Sequence, residues 1–72
     1  MLKNAKEAFA ESLKKMLEKK AFNHISIKDI AEDCGVSRQA FYYHFKDIYD
    51  LAEWIFIEEA SVALANERDI DT

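Results

Sequence analysis

The single glycine of this chain, Gly35, and the absence of proline most restrict what the chain can fold into. Hairpins between strands depend on turns that are rich in glycine, proline and asparagine, and this sequence offers few of them. Its 72 residues make one small domain, which buries only about 60% of its unfolded surface. We therefore predict an all-α fold, a three-helix bundle followed by the start of a long fourth helix.

Hydrophobic spacing predicts where the first helix lies. Apolar residues recur at helical intervals in NAKEAFAESLKKMLEKK, which indicates a helix over about residues 2–20. The connector AFNHI follows, with Phe22 and Ile25 turned inward. Across the first three helices we assign these residues to the core: Phe9, Leu13, Leu17, Phe22, Ile27, Ile30, Phe41 and Phe45.

The segment SIKDIAEDCG carries helix signals at both ends. Ser26 is a good N-cap, and Asp29 three residues later completes a pattern like that of a capping box. Gly35 lies where a left-handed backbone would end the helix, because glycine has no Cβ to clash there. The apolar residues of this segment share one helical face: Ile27, Ile30, Ala31 and Cys34.

A third helix, RQAFYYHF, follows directly, with Ser37 as its N-cap. Two short helices joined by a tight turn form a helix-turn-helix, here over about residues 26–45. The second helix of such a motif enters the DNA major groove, and the first crosses the backbone. Asp47 is the expected cap of a fourth helix that continues without a breaker.

The aromatic residues of the third helix divide between two sides when placed at about 100° per residue. Phe41 and Phe45 define the inner side, which Val36 joins from the turn. Gln39 and Tyr43 lie opposite. Of the remaining residues, Arg38 and Tyr42 form one flank, and Ala40 and His44 form the other.

That outer surface suits contact with DNA. Gln39 can pair with an adenine edge, and Arg38 can bind guanine or a phosphate. Tyr42 and His44 can reach the sugar-phosphate walls, which positions a protein without recognising sequence. The alternative for the aromatic residues and His44 is surface packing or core filling, and for Arg38 and Gln39 it is an ordinary solvated first turn of the helix.

The charge of the chain is unevenly distributed. Residues 1–46 carry nine Lys and Arg against six Asp and Glu, whereas residues 47–72 carry one against eight, which gives a net charge of −4. Such asymmetry suggests that the first part meets an anion. The alternative is that the acidic part is merely a solvated helix face.

The segment SIKDIAEDCGVSRQAFYYHFKDIYDL resembles the N-terminal DNA-binding domain of the TetR family of bacterial transcriptional regulators. The resemblance runs from about Ala8 to Leu51 and is most specific in its Ile-Ala, Gly-Val-Ser and Tyr-x-His-Phe spacings. It implies that residues 1–46 form the DNA-binding domain. In such regulators the residues that commonly touch DNA correspond to Ser37, Arg38, Gln39, Ala40, Tyr42, Tyr43 and His44, and Tyr42 and His44 usually take phosphate.

The same resemblance implies a larger protein. Residues 47–72 would be the first helix leading to an absent domain that binds a small-molecule inducer and forms a homodimer on a palindromic operator. The segment LAEWIF is similar to a branch that contains regulators of dihydroxyacetone kinase operons. A cytoplasmic protein is expected, and the single Cys34 fits a reducing compartment.

The chain departs from the family pattern at two positions. Ala21 stands where glycine is common, so we expect Asn23 to end the first helix in a left-handed conformation. Ile48 replaces a lysine that usually holds a phosphate, and Lys46 is the candidate replacement. Lys28 is a further candidate contact because it starts the helix that crosses the backbone.

Other functions have less support. The bulky run WIFI, Trp54 to Ile57, surrounds one turn of the fourth helix, which favours a partner surface and makes a helical protein–protein module the alternative function. We find no arrangement of catalytic groups and predict no enzyme activity and no cofactor. His24, His44 and Cys34 lack zinc-ligand spacing, and no apolar run is long enough to span a membrane.

Overall fold

The computed structural model describes residues 4–71, and the side chains of residues 4–64. This part of the chain contains four α-helices and one 3₁₀ turn, and it has no strand, so the all-α prediction is confirmed. The elements in chain order are α1 (Ala5–Leu17), the 3₁₀ turn (Phe22–His24), α2 (Ile27–Cys34), α3 (Arg38–His44) and α4 (Ile48–Asp71).

A capping box precedes Ala5, the first residue of α1. The Asn4 side chain accepts a hydrogen bond from the Glu7 N–H at 2.8 Å, and the Glu7 carboxylate accepts one from the Asn4 N–H at 3.3 Å. The predicted start at residue 2 lies outside the described residues. The N-x-x-E spacing that produces this cap is readable in the sequence, and the prediction overlooked it.

The end of α1 at Leu17 also differs from the prediction. No residue other than glycine has a positive φ in the described part of the chain, so the left-handed role predicted for Asn23 is wrong. The Lys19 N–H instead donates to the Met16 carbonyl at 2.9 Å, and the Glu18 N–H donates to the Lys15 carbonyl. Tightened bonds of this kind satisfy the last carbonyls without a left-handed residue.

The predicted boundaries of α2 are confirmed. The Ser26 hydroxyl accepts a hydrogen bond from the Asp29 N–H, and the Asp29 carboxylate accepts one from the Ser26 N–H, both at 3.1 Å. The bond from the Ser26 N–H holds the pKa of Asp29 below its ordinary value. At the other end Gly35 has φ 73°, and the Val36 N–H donates to the Ala31 carbonyl at 3.0 Å. This closure sets the turn that leads into α3.

We expect Gly35→Ala to destabilise the domain by about 1 kcal/mol, because a left-handed backbone disfavours any Cβ. The cost should be purely conformational, since no described atom outside Gly35 and its two chain neighbours lies within 4 Å of the position that an added Cβ would take. Urea unfolding followed by circular dichroism measures the loss. Gly35→Asn is the matched control and should lose less, because asparagine tolerates this conformation. Equal losses in the two variants would contradict the explanation.

The core forms where α1, α2, α3 and the start of α4 meet. Apart from Leu17, every predicted core residue is buried or half-buried in one cluster with Ile25, Ala10 and Leu51. Leu17 is exposed, contrary to prediction, because it is the last residue of α1 and lies beyond the buried stretch of that helix. Val36 is exposed as well, since the turn that holds it faces solvent. The fully buried members are Leu13, Ile30, Phe41 and Leu51.

Asp47 caps α4 as predicted. Its carboxylate accepts a hydrogen bond from the Asp50 N–H at 2.8 Å, and the Asp50 carboxylate accepts one from the Lys46 N–H at 2.9 Å. The link between α3 and α4, residues 45–47, is therefore short and held by hydrogen bonds. The start of α4 lies beside the C-terminal end of α3, where the Trp54 ring is 6.0 Å from the Phe45 ring.

Candidate nucleic-acid interface

Two buried phenylalanines set the rotation of α3. Phe41 is 0% exposed and Phe45 is buried, as the helical spacing predicted. The Phe9 ring of α1 meets both of them, with ring centroids 5.2 Å and 6.5 Å apart and edge-on geometry. Since edge-to-face aromatic contacts prefer defined angles, this cluster fixes which side of α3 faces outward.

The outward side of α3 carries polar and aromatic side chains. Gln39 and Arg38 are exposed, Tyr43 is 85% exposed and Tyr42 is 54% exposed. The Tyr42 ring packs edge-on against Phe41 at 5.9 Å, which steadies the ring while much of the side chain stays in solvent. The side chains that the sequence placed on the outer surface are therefore accessible to a partner.

The second flank of α3 lies closer to α1 than the helical wheel suggests. Ala40 and His44 are both half-buried. The His44 ring lies 6.1 Å from the Phe9 ring and 5.1 Å from the Tyr43 ring. His44 is thus oriented by its neighbours and presents only part of its ring to solvent. Ser37 is exposed, and its hydroxyl accepts the Ala40 N–H at 3.3 Å, as expected for the cap of α3.

Positive charge is available at three of the predicted positions. Lys28, Arg38 and Lys46 are exposed and form no salt bridge with the other described residues. Three other lysines are paired within the chain: Lys14 with Glu59 at 2.6 Å, Lys15 with Asp33 at 3.1 Å and Lys20 with Asp29 at 3.5 Å. Lys28, Arg38 and Lys46 lie on α2, on α3 and just after α3, and α3 itself has no carboxylate.

The position of the missing family lysine is apolar. Ile48 is half-buried and packs against the core cluster. Next to it, Tyr49 is 68% exposed, and its ring lies 5.3 Å from the Phe22 ring. The sequence prediction did not include Tyr49. The sequence signal for it is an aromatic residue with a hydroxyl group directly after Ile48, which occupies the position of the family lysine.

A cleft of about 250 Å³ lies between α1 and α2, away from the outward side of α3. Its lining includes Cys34, whose thiol donates a hydrogen bond to the Ala8 carbonyl at 3.6 Å. Burial raises the pKa of this thiol, which makes it a poor nucleophile. The described residues contain no group of three side chains that could hold a metal ion, and they include no helix long and apolar enough to cross a membrane.

The short helices α2 and α3, the glycine turn and the outward polar face of α3 define a helix-turn-helix domain. Residues 2–55 match the family model for bacterial regulatory proteins of the tetR family. Because this match covers well over half of the chain, the chain belongs to the tetR family of transcription regulators, whose members bind DNA. The predicted resemblance is confirmed.

A curated relative supports the same assignment. The chain is 28% identical over 60 residues to the HTH-type dhaKLM operon transcriptional activator DhaS of Lactococcus lactis subsp. lactis (strain IL1403). The alignment covers 83% of this chain and 32% of the relative, so the chain spans about a third of that protein's length. The match agrees with the branch that the LAEWIF segment indicated. No solved structure matches the chain.

Proposed function

We propose that this chain binds double-stranded DNA sequence-specifically, with α3 in the major groove and α2 across the backbone. The observation that supports this most directly is the exposure of Arg38, Gln39, Tyr42 and Tyr43 on α3, whose inner side holds the buried Phe41. A helix can enter the major groove only if no other part of the same domain covers its outward side. Residues 1–46 would form the DNA-binding domain, and residues 47–72 would begin the connection to an effector domain.

Base recognition falls to the exposed residues at the start and middle of α3. Arg38 would bind guanine through its two parallel donors, and Gln39 would bind adenine through its amide. Tyr43, the most exposed aromatic of α3, would enter the groove beside them. Ser37 and Ala40 are small, which lets the start of α3 approach the bases closely.

Backbone contacts would come from the flanks. Tyr42 on one side and the partly covered His44 on the other would donate to phosphates and hold α3 in register. Lys28 at the start of α2 and Lys46 after α3 add charge at either edge. Their lack of salt-bridge partners among the described residues supports this role, since a paired lysine would have to give up its carboxylate first.

We further propose that the chain acts within a dimeric, ligand-responsive regulator in the cytoplasm. The relative is a transcriptional activator of an operon, and the chain spans about a third of its length. Two helix-turn-helix units in a dimer meet half-sites about 34 Å apart on a palindromic operator. A small-molecule inducer and the dimer interface would belong to the larger regulator.

Binding to a mixed-sequence duplex should weaken steeply as salt rises. Each neutralised phosphate contributes a slope of about −0.9 to log K against log salt, so the two phosphate-binding lysines, Lys28 and Lys46, predict about −1.8 for one molecule. Fluorescence anisotropy across a salt series measures this slope. Replacing Lys28 and Lys46 together by alanine should reduce the magnitude of the slope by about 1.8. The same change at the paired Lys14 and Lys15 removes equal charge and should alter the slope less. Affinity that does not depend on salt would exclude binding led by phosphate contacts.

A second candidate function, a helical protein–protein module, is supported by exposed apolar side chains on α4. Phe56 is 73% exposed, and Ile57, Val62 and Leu64 are exposed as well. Large exposed apolar side chains that gather on one helix favour an interaction site. Light scattering combined with a DNA shift assay separates the two functions. Self-association or partner capture without any DNA binding would favour the module.

A further inference from the structure

Tyr49, at the start of α4, packs its ring against a neighbouring aromatic residue but keeps most of its side chain in solvent. Its ring lies 5.3 Å from the Phe22 ring of the 3₁₀ turn, yet the side chain remains 68% exposed. The hydroxyl forms no hydrogen bond with the described residues. Tyr42 has the same arrangement, with its ring against Phe41 and no hydrogen bond from its hydroxyl to the described residues. A ring held by a second aromatic loses little further freedom on binding, so its hydroxyl is ready for a partner.

The position of Tyr49 relative to α3 follows from the short link between the helices. Only residues 45–47 separate the end of α3 from the start of α4, and the contact between Phe45 and Trp54 fixes the two helices together. Tyr49 therefore lies near the C-terminal end of the helix that we place in the groove. A phosphate at the edge of that groove would be the nearest anion.

Few other side chains at this end of α4 can donate to a phosphate. Ile48 is apolar and half-buried, and the carboxylates of Asp47 and Asp50 accept backbone N–H groups. The negative charges of these two carboxylates repel a phosphate. A donor at this turn must therefore reach past them into solvent to bind one. Among residues 46–50 the side chains that can donate are Lys46 and Tyr49. Both are exposed.

We propose that Tyr49 is a further DNA-backbone contact, with its hydroxyl donating a hydrogen bond to a phosphate oxygen beside the groove that α3 occupies. This inference rests on the proposed function and extends it to a residue outside the helix-turn-helix. Tyr49 and Lys46 divide the role of the missing lysine: Lys46 supplies charge, and Tyr49 supplies a rigid, neutral donor. Because phosphates are common to all sequences, Tyr49 adds affinity without sequence preference.

Tyr49→Phe isolates the hydroxyl, since the ring and its packing on Phe22 are kept. We expect affinity for a mixed-sequence duplex at low salt to fall about three- to tenfold, the usual effect of one hydrogen bond. The salt slope should stay the same, because the donor is neutral. Lys46→Ala should instead lower the magnitude of the slope by about 1. Thermal unfolding of each variant shows whether the fold is kept.

Phe56→Ala is the matched control, because Phe56 lies about two turns further along the same side of α4. It should leave DNA affinity unchanged. If Tyr49→Phe binds as the wild type does while Tyr42→Phe binds more weakly, the inference is wrong and the proposed function stands. If Arg38→Ala, Tyr42→Phe and Tyr49→Phe all bind as the wild type does, both are wrong. Lost binding that matches lost folding in Tyr49→Phe, or an equal loss in Phe56→Ala, also overturns the inference.

Discussion

Replacing Phe41 by alanine should unfold much of the domain at room temperature. Phe41 is 0% exposed, and its ring meets those of Phe9, Phe45 and Tyr42 at 5.2, 5.7 and 5.9 Å. Truncating a buried phenylalanine to alanine costs about 3–5 kcal/mol. That loss approaches the whole stability of a small domain, which is about 5 kcal/mol at the low end. Urea unfolding followed by far-ultraviolet circular dichroism measures it.

Phe56→Ala makes the same chemical change at a side chain that is 73% exposed. It should alter the free energy of unfolding by no more than about 0.5 kcal/mol. Phe41→Leu, which keeps most of the apolar volume, should fall between these two variants. Similar stability for Phe41→Ala and Phe56→Ala would mean that the aromatic cluster of Phe9, Phe41 and Phe45 does not hold the domain together.

Arg38→Ala and Gln39→Ala should each change the preferred DNA sequence at one position. A good bidentate pair between a side chain and a base contributes about 1–3 kcal/mol of discrimination, so the loss should relax one base preference by about tenfold or more. Selection from a pool of randomised duplexes measures the preference of each variant. Because the pool contains every short sequence, the selection does not depend on the identity of the operator.

Tyr42→Phe provides the contrast for these two variants. It removes one hydroxyl from the flank of α3 and keeps the ring against Phe41. Its affinity should fall on every duplex by a similar factor, while the selected sequence stays the same. If Arg38→Ala and Gln39→Ala selected the wild-type sequence, the assignment of base recognition to these residues would be wrong, whatever their affinity.

The features that could be predicted best are local ones. The caps at Ser26, Ser37 and Asp47 and the left-handed Gly35 are all present as expected. Each depends on residues only a few positions apart, so its hydrogen bonds or dihedral angles follow from side-chain chemistry and spacing alone. The family resemblance is local as well: the Gly-Val-Ser spacing falls at the turn and the cap of α3, while Ile-Ala lies within α2 and Tyr-x-His-Phe lies at the end of α3.

The predictions that failed concern places where local signals are weak or were overlooked. Helix α1 ends through bonds from Glu18 and Lys19, whereas the sequence favours an asparagine in a left-handed conformation. Both ways of ending the helix satisfy its last carbonyl groups, and the sequence does not show which of the two occurs. Periodicity predicts that Leu17 and Val36 point inward, but both residues are exposed. Periodicity indicates which side of a helix is apolar, but it does not indicate how far the neighbouring helix extends along that side.

The candidate site shows the same division. Helical spacing places Phe41 and Phe45 inward and Tyr43 outward, as the structure has them. Spacing treats the two flanks of α3 as equivalent, but His44 is half-buried against Phe9 while Tyr42 is exposed. Which lysines are unpaired is equally invisible in the sequence, since the partner of Lys14 is Glu59, 45 residues away.

The sequence by itself determined the helices, most of their ends, the turn at Gly35 and the class of domain, because these depend on interactions between near neighbours in the chain. Only the tertiary structure decided which flank of α3 is open, which cations form salt bridges within the described part of the chain, and that the exposed Tyr49 packs on Phe22. These properties depend on α1, the 3₁₀ turn and α4 meeting the rest of the domain across long separations. Packing between segments that are distant in the chain determines these properties, so a local sequence pattern cannot predict them.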